Sequence, residues 1–252
     1  MTSSTQPAAQ NKQSSPGLWP SLAPYVVPPV AAAAAISFPS VMRGMVMKSA
    51  LQRGEPLPTM TMVEGVKAGM NAAPSIAAIV GTQMLLQKAF VGDSEKVSFT
   101  STLASSAAVG FVSSPALAVF NGYTAKEPMR AMQSLQKLTL KQAGAIAGQE
   151  TGFVLGLAGA DLLAVPMKQV FGDNKPVEYV AACTSGALGS LVGHPGNTAL
   201  TRWQSTLKVE NLCQLTWGTL RKARANAVFA CVYKGAKELL MPVNEDKKKN
   251  TQ

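Results

Sequence analysis

The chain has 252 residues, of which 47% are hydrophobic, and a formal net charge of +10. That basic balance does not describe a nucleic-acid surface, because the Lys and Arg residues sit between long apolar runs and not together on one exposed element beside aromatics. Three cysteines, Cys183, Cys213 and Cys231, form no C-x-x-C pair and are odd in number, which argues against a disulfide framework or a zinc site.

Charge is absent from residues 13–42, 68–87, 97–125 and 179–201. A soluble amphipathic helix interrupts itself with charge every turn or two, whereas runs of this length suit a hydrocarbon layer of about 30 Å. Residues 1–21 are expected to be a disordered tail, rich in Ser, Gln, Thr and Ala and without the pattern of a cleaved secretory signal. Six apolar spans follow. The first covers Val26 to Met47, with Pro28, Pro29 and Pro39 inside it and Arg43 near its end. The second runs from Ala68 to Gln87, with Pro74 expected in its first turns, and the third from Phe99 to Phe120. The fourth extends from Gly148 to Phe171 and carries Glu150 and Asp161, charges that avoid lipid by facing a bundle interior or a watery cavity. The fifth, Tyr179 to Gln204, is expected to bend at Pro195, and the sixth spans Ala223 to Met241. Small residues at four-residue spacing, Gly144, Gly148, Gly152, Gly156 and Ala160 in one place and Ser185, Gly189 and Gly193 in another, predict close helix packing.

The chain repeats. Phe99–Pro115 corresponds to Tyr179–Pro195 at an offset of 80 residues, and Lys88–Asp93 resembles Lys168–Asp173 at the same offset. Pro39 lies 76 residues before Pro115. Three units result, at 22–98, 99–178 and 179–241, with a C-terminal tail at 242–252. The connections 48–70, 121–149 and 202–224 carry net charges of +1, +3 and +4, whereas 88–98 and 168–178 are each neutral. That alternation places long basic loops on one face and both termini on the other. The predicted fold is therefore an all-α membrane protein of six transmembrane helices, three helical hairpins around a central cavity.

Pro195-Gly-Asn197-Thr-Ala-Leu200-Thr-Arg202-Trp-Gln204 resembles the signature of the mitochondrial carrier family, Pro-x-[Asp/Glu]-x-x-[Lys/Arg]-x-[Lys/Arg] followed by Gln. Pro195, Arg202 and Gln204 match; Asn197 and Leu200 depart. Ala225-Asn226-Ala227 through Phe229, Tyr233 and Lys237 is similar to the family's even-numbered helices, with Lys234 where the family has an acid. Pro115 is kept in the second repeat and Pro39 in the first, but Leu117, Phe120, Val41 and Gly44 replace the charges. The likeness covers about residues 22–241 and is most specific beyond 179.

The resemblance implies a transporter that exchanges a small anionic metabolite, a nucleotide or a carboxylate, across the mitochondrial inner membrane by alternating access. It implies a monomer with no cofactor, in contact with lipid that is anionic in part. The degenerate signature would suit a carrier encoded by an intracellular microbe for its host's mitochondria. By the same resemblance, solute contacts fall on Gln149 and Glu150, on Arg221 and Arg224 and on Asn71, while Pro39, Pro115, Pro195, Asn197, Arg202, Gln204, Tyr233 and Lys237 belong to kinks and gates. The two arginines have a plainer reading as the end of the basic fifth connection, meeting lipid phosphate. Because the family's charged gates are largely missing, a second function stays open: a membrane protein with the carrier fold that works in insertion, scaffolding or leak. His194, the single histidine, has no partner at a metal or triad spacing and reads as a helix-end residue.

Overall fold

The structure is a computed structural model that describes residues 18–91, 99–125, 133, 136 and 138–241. The tails at 1–17 and 242–252, the connection 92–98, Lys126, Arg130 and Lys137 lie outside the described residues, as do the side chains of Gly156, Ala160 and Asp161.

Every element among the described residues is helical. We label them α1 (Leu18–Ser37), α2 (Pro39–Arg53), α3 (Met62–Val91), α4 (Phe99–Val112), α5 (Ser114–Thr124), α6 (Leu140–Phe171), α7 (Lys175–Val192), α8 (His194–Gln204) and α9 (Thr219–Leu240), with a short 3-10 turn at Leu212–Thr216. Local chemistry fixes several ends. Thr139 and Gln142 form a reciprocal capping box at the start of α6, and the Asn174 side chain accepts from the Val177 N–H to start α7. Gly54 closes α2 at φ 74°, a left-handed conformation that glycine adopts without a Cβ penalty.

The odd legs are each broken at the expected proline. Phe38 is driven out of the helical region to ψ 124° by Pro39, and the axis turns by 69° between Ser21–Ser37 and Pro39–Arg53. Pro115 and Pro195 stand in the first turns of α5 and α8, where the missing N–H ends the preceding helix at Ser113 and Gly193. The fifth span is thus two helices instead of one. Pro24, Pro28 and Pro29, by contrast, lie inside α1, which begins at Leu18 and so takes in the end of the expected tail. Pro74 sits in the interior of α3 and not in its first turns, because that helix starts already at Met62.

The legs close into a ring. α1 packs on α3, α3 on α4, α4 on α6, α6 on α7, α7 on α9, and α9 returns to α1. Glycines allow the closest crossings: a Cβ on Gly193 would lie 2.6 Å from the Gln149 carbonyl oxygen, and one on Gly152 would lie 2.7 Å from the Gly193 nitrogen. Gly69 approaches the Ile36 carbonyl in the same way, at 2.6 Å. The four-residue stripe on α6 is only partly a packing seam, since Gly144 and Gly148 face open space. At that level the close contacts of α6 fall on other faces: a Cβ on Gly196 would lie 2.7 Å from the Ala145 carbonyl oxygen, and one on Gly110 would run into Ala147 Cα.

Beside an apolar core, the ring exposes large apolar side chains and buries several polar ones. Large apolar side chains are exposed on the rim of the ring, among them Trp19, Leu22, Val26 and Val30 of α1 and Val180, Leu188, Leu191 and Val192 of α7. Lys48, Gln52, Asn121, Glu150, Asn197, Lys222 and Asn226 are buried. Among the described residues no single helix is long and apolar enough to cross a membrane, while the bent pair Ser21–Ser37 with Pro39–Arg53 meets that requirement by length and composition.

Candidate functional site

The ring surrounds a cavity that is open to solvent at its mouth. Its wall is mostly apolar, with Ile76, Ile79 and Val80 from α3 and Phe229 from α9, and it holds a small set of polar groups. This is the usual make-up of a small-molecule site.

Helical register decides which groups reach it. On α9 the inward face is Lys222, Asn226 and Phe229, spaced so that successive members fall within a few tens of degrees of one another. Arg221, one residue earlier, is rotated by about 100° and is only half-buried, while Arg224 is exposed. Arg221 and Arg224, expected as the basic contact, thus lie outside the cavity lining, and the lining cation on this helix is Lys222. Asn71 is exposed on α3 and also outside the lining, where Gln83 supplies that helix's polar group. Gln149 and Glu150 are in the lining. Glu150 is 4% exposed and Lys222 5%.

Charges in the cavity interact without being paired off. The Lys222 charge acts on both Glu150 and Lys48, yet the ion pairs among the described residues do not join Glu150 to Lys222. Among those residues the Lys222 ammonium has no hydrogen-bond partner, and Glu150 accepts only a long bond of 3.4 Å from Gln149 Nε2. Lys48 was missed by the sequence reading, which placed it in a connection. A signal was present, since Lys48 follows Pro39 by nine residues, as Gln204 follows Pro195.

Below the cavity, on the side of the kinked helices α2, α5 and α8, amides take over from charges. Asn197 Oδ1 accepts from Lys48 Nζ at 2.8 Å and from Gln52 Nε2 at 3.1 Å, and Asn197 Nδ2 donates to Gln149 Oε1 at 2.6 Å. Gln52 also donates to Thr198 Oγ1 at 2.8 Å. Gln204 accepts from Asn121 Nδ2 at 2.5 Å, which joins α8 to α5. Arg202 makes no ion pair among the described residues; its guanidinium donates to the carbonyls of Lys208 and Gln52 and lies over the Trp217 ring at 5.8 Å. His194 is a buried tie at the start of α8, with Nε2 2.9 Å from the Trp217 carbonyl oxygen.

The opposite end of the ring is held by ions. Lys168 meets Glu178 at 2.6 Å and Asp173 at 2.8 Å, and Lys234 meets Glu178 at 3.0 Å and Glu238 at 2.9 Å. Hydrogen bonds from Lys168 and Lys234 hold the Glu178 carboxyl below its ordinary value. Tyr233 stacks on Phe229 with centroids 6.1 Å apart, and Lys237 is half-buried in the last turns of α9. Of the other kink residues, Pro39 and Pro115 are half-buried and Pro195 is exposed.

Comparison with protein-family models finds no match, and no curated protein matches the chain.

Proposed function

We propose that the chain is a membrane solute transporter of mitochondrial-carrier type, seated as a monomer in the mitochondrial inner membrane and exchanging a small anionic metabolite through the central cavity. The observation that carries this reading is the buried ammonium of Lys222, without a hydrogen bond among the described residues, facing a cavity it shares with Lys48 and Glu150, inside a ring that exposes large apolar side chains on its outside. A buried charge that lacks a direct hydrogen bond or ion pair costs several kcal/mol, and a polar ligand that pairs with it offsets that cost. Broken first, third and fifth spans alternating with the unbroken helices α3, α6 and α9 support two-ended gating, with the amide network and the ion network at opposite mouths. Neither a bound cofactor nor catalysis enters this reading.

Reconstitution of the full chain into liposomes loaded with a panel of carboxylates and nucleotides tests it. Saturable counter-exchange is the expected result. One observation favours a second reading: at the Asn197 end the helices are joined by neutral amides where the resembled family has ion pairs. A protein that merely inserts, scaffolds or leaks would release every loaded solute alike or none.

A further inference from the structure

Resting on the reading of the cavity as a solute site, the nature of the solute follows from the three charges in its wall. Among the described residues lining the cavity, Lys48, Lys222 and Glu150 are the charged ones, and together they leave one net positive charge. They lie close enough for Lys222 to act on both others. With all three residues no more than 5% exposed, the ligand that costs least to bury restores neutrality, so it carries one net negative charge. A nucleoside di- or triphosphate brings several negative charges, and the lining offers no guanidinium fork to receive a phosphate. A simple carboxylate matches the net charge but leaves the Glu150 carboxylate, with its one long bond at 3.4 Å, facing the ligand without a donor.

We propose that the cavity takes an acidic α-amino acid, its two carboxylates met by Lys222 and Lys48 and its ammonium by the Glu150 carboxylate. Lys48 spends one donor on Asn197 and keeps two for the ligand. Lys222 has all three available among the described residues. Gln149 and Asn226 stand beside these groups to complete the carboxylate hydrogen bonds, and Ile76, Ile79 and Val80 cover the methylene spacer.

Thermal unfolding of the purified full chain in detergent, titrated with glutamate and aspartate, reads binding separately from transport. The two acidic amino acids should raise the midpoint at concentrations on the order of tenfold below those needed for their 2-oxo analogues, which lack the ammonium, or their amides, which lack the second carboxylate. Glu150→Gln should erase the preference over the 2-oxo analogues while leaving the latter bound. Lys222→Gln should weaken the acidic amino acids by on the order of tenfold, and Lys222→Arg, which keeps the charge, guards against a mere folding loss by retaining part of the binding. Equal stabilisation by the 2-oxo analogues, an unchanged preference in Glu150→Gln, stronger stabilisation by ATP, or no stabilisation by any of these would each overturn the assignment. The expected binding pattern without exchange in liposomes would remove the transport reading and keep the site; exchange of carboxylates with no amino preference would do the reverse.

Discussion

Lys48 and Asn197, 149 positions apart in the chain, are joined across α2 and α8 by a hydrogen bond of 2.8 Å. The ammonium is charged and the amide is not, so the first and third repeats are held together by half of an ion pair. Gln52 and Gln149 complete the coordination of the same amide.

Asn197→Leu removes both the acceptor for two donors and the donor to Gln149. With a buried ammonium left without its bond, the expected loss is about 3 kcal/mol of stability, measurable as a fall in the unfolding midpoint. Asn197→Asp should move the midpoint the other way, because a carboxylate then stands beside Lys48. In liposomes the same change should slow exchange by holding that mouth closed. An unchanged midpoint in both variants would show that this bond is not what joins the repeats.

Arg202→Lys keeps the charge and loses the planar fork. The guanidinium now serves the carbonyls of Lys208 and Gln52 at once and covers Trp217. An ammonium cannot do all three, so a loss of about 1–3 kcal/mol is expected. Thermal unfolding measures it, and a neutral result would reduce Arg202 to a surface-like charge.

Glycines on α6 and α7 should divide by their surroundings. Gly193→Ala places a methyl 2.6 Å from the Gln149 carbonyl oxygen and is expected to cost about 1–3 kcal/mol. Gly148→Ala meets open space within a helix and should gain about 0.5–1 kcal/mol. A shared sign for the two, in parallel unfolding scans, would contradict the close approach of Gly193 to α6 and the open space at Gly148.

Glu178 sets a pH dependence. Its carboxyl is held low in the folded chain by hydrogen bonds from Lys168 and Lys234, against a reference value of 4.5. A depressed acid stabilises fully above its unfolded value and loses that contribution as pH falls through the folded one. The midpoint difference between the natural chain and Glu178→Gln should therefore be constant near neutrality and shrink below about pH 4. A difference that persists at pH 2 would assign the effect to packing.

The breaks in the three odd legs were legible because proline acts through its own backbone: Pro39, Pro115 and Pro195 end helices wherever the chain places them. Pro28 and Pro29 show the limit of that reasoning, since packing against α3 keeps α1 helical through both. Glu150 was legible as an expensive charge in an apolar run. Lys222 was not, because Arg221, Lys222 and Arg224 fall within four positions of one helix, and a turn of about 100° per residue decides which one faces inward. That decision belongs to α1 and α7 packing on the other faces of α9, which no local pattern records. Lys48 was hidden for a related reason: the helix carrying it runs on to Arg53, well past the end of the apolar stretch.

Among the described residues, the ion pairs that link one helix to another, Lys168 to Glu178 and Lys234 to Glu178, all lie at one end of the ring. Exposed ion pairs weaken as the Debye length shortens, from about 10 Å in 0.1 M salt to about 3 Å in 1 M, whereas bonds between buried amides hardly respond. Ionic strength thus acts as a one-sided solvent for this molecule, loosening the end of the ring near Glu178 and leaving the bonds around Asn197 in place.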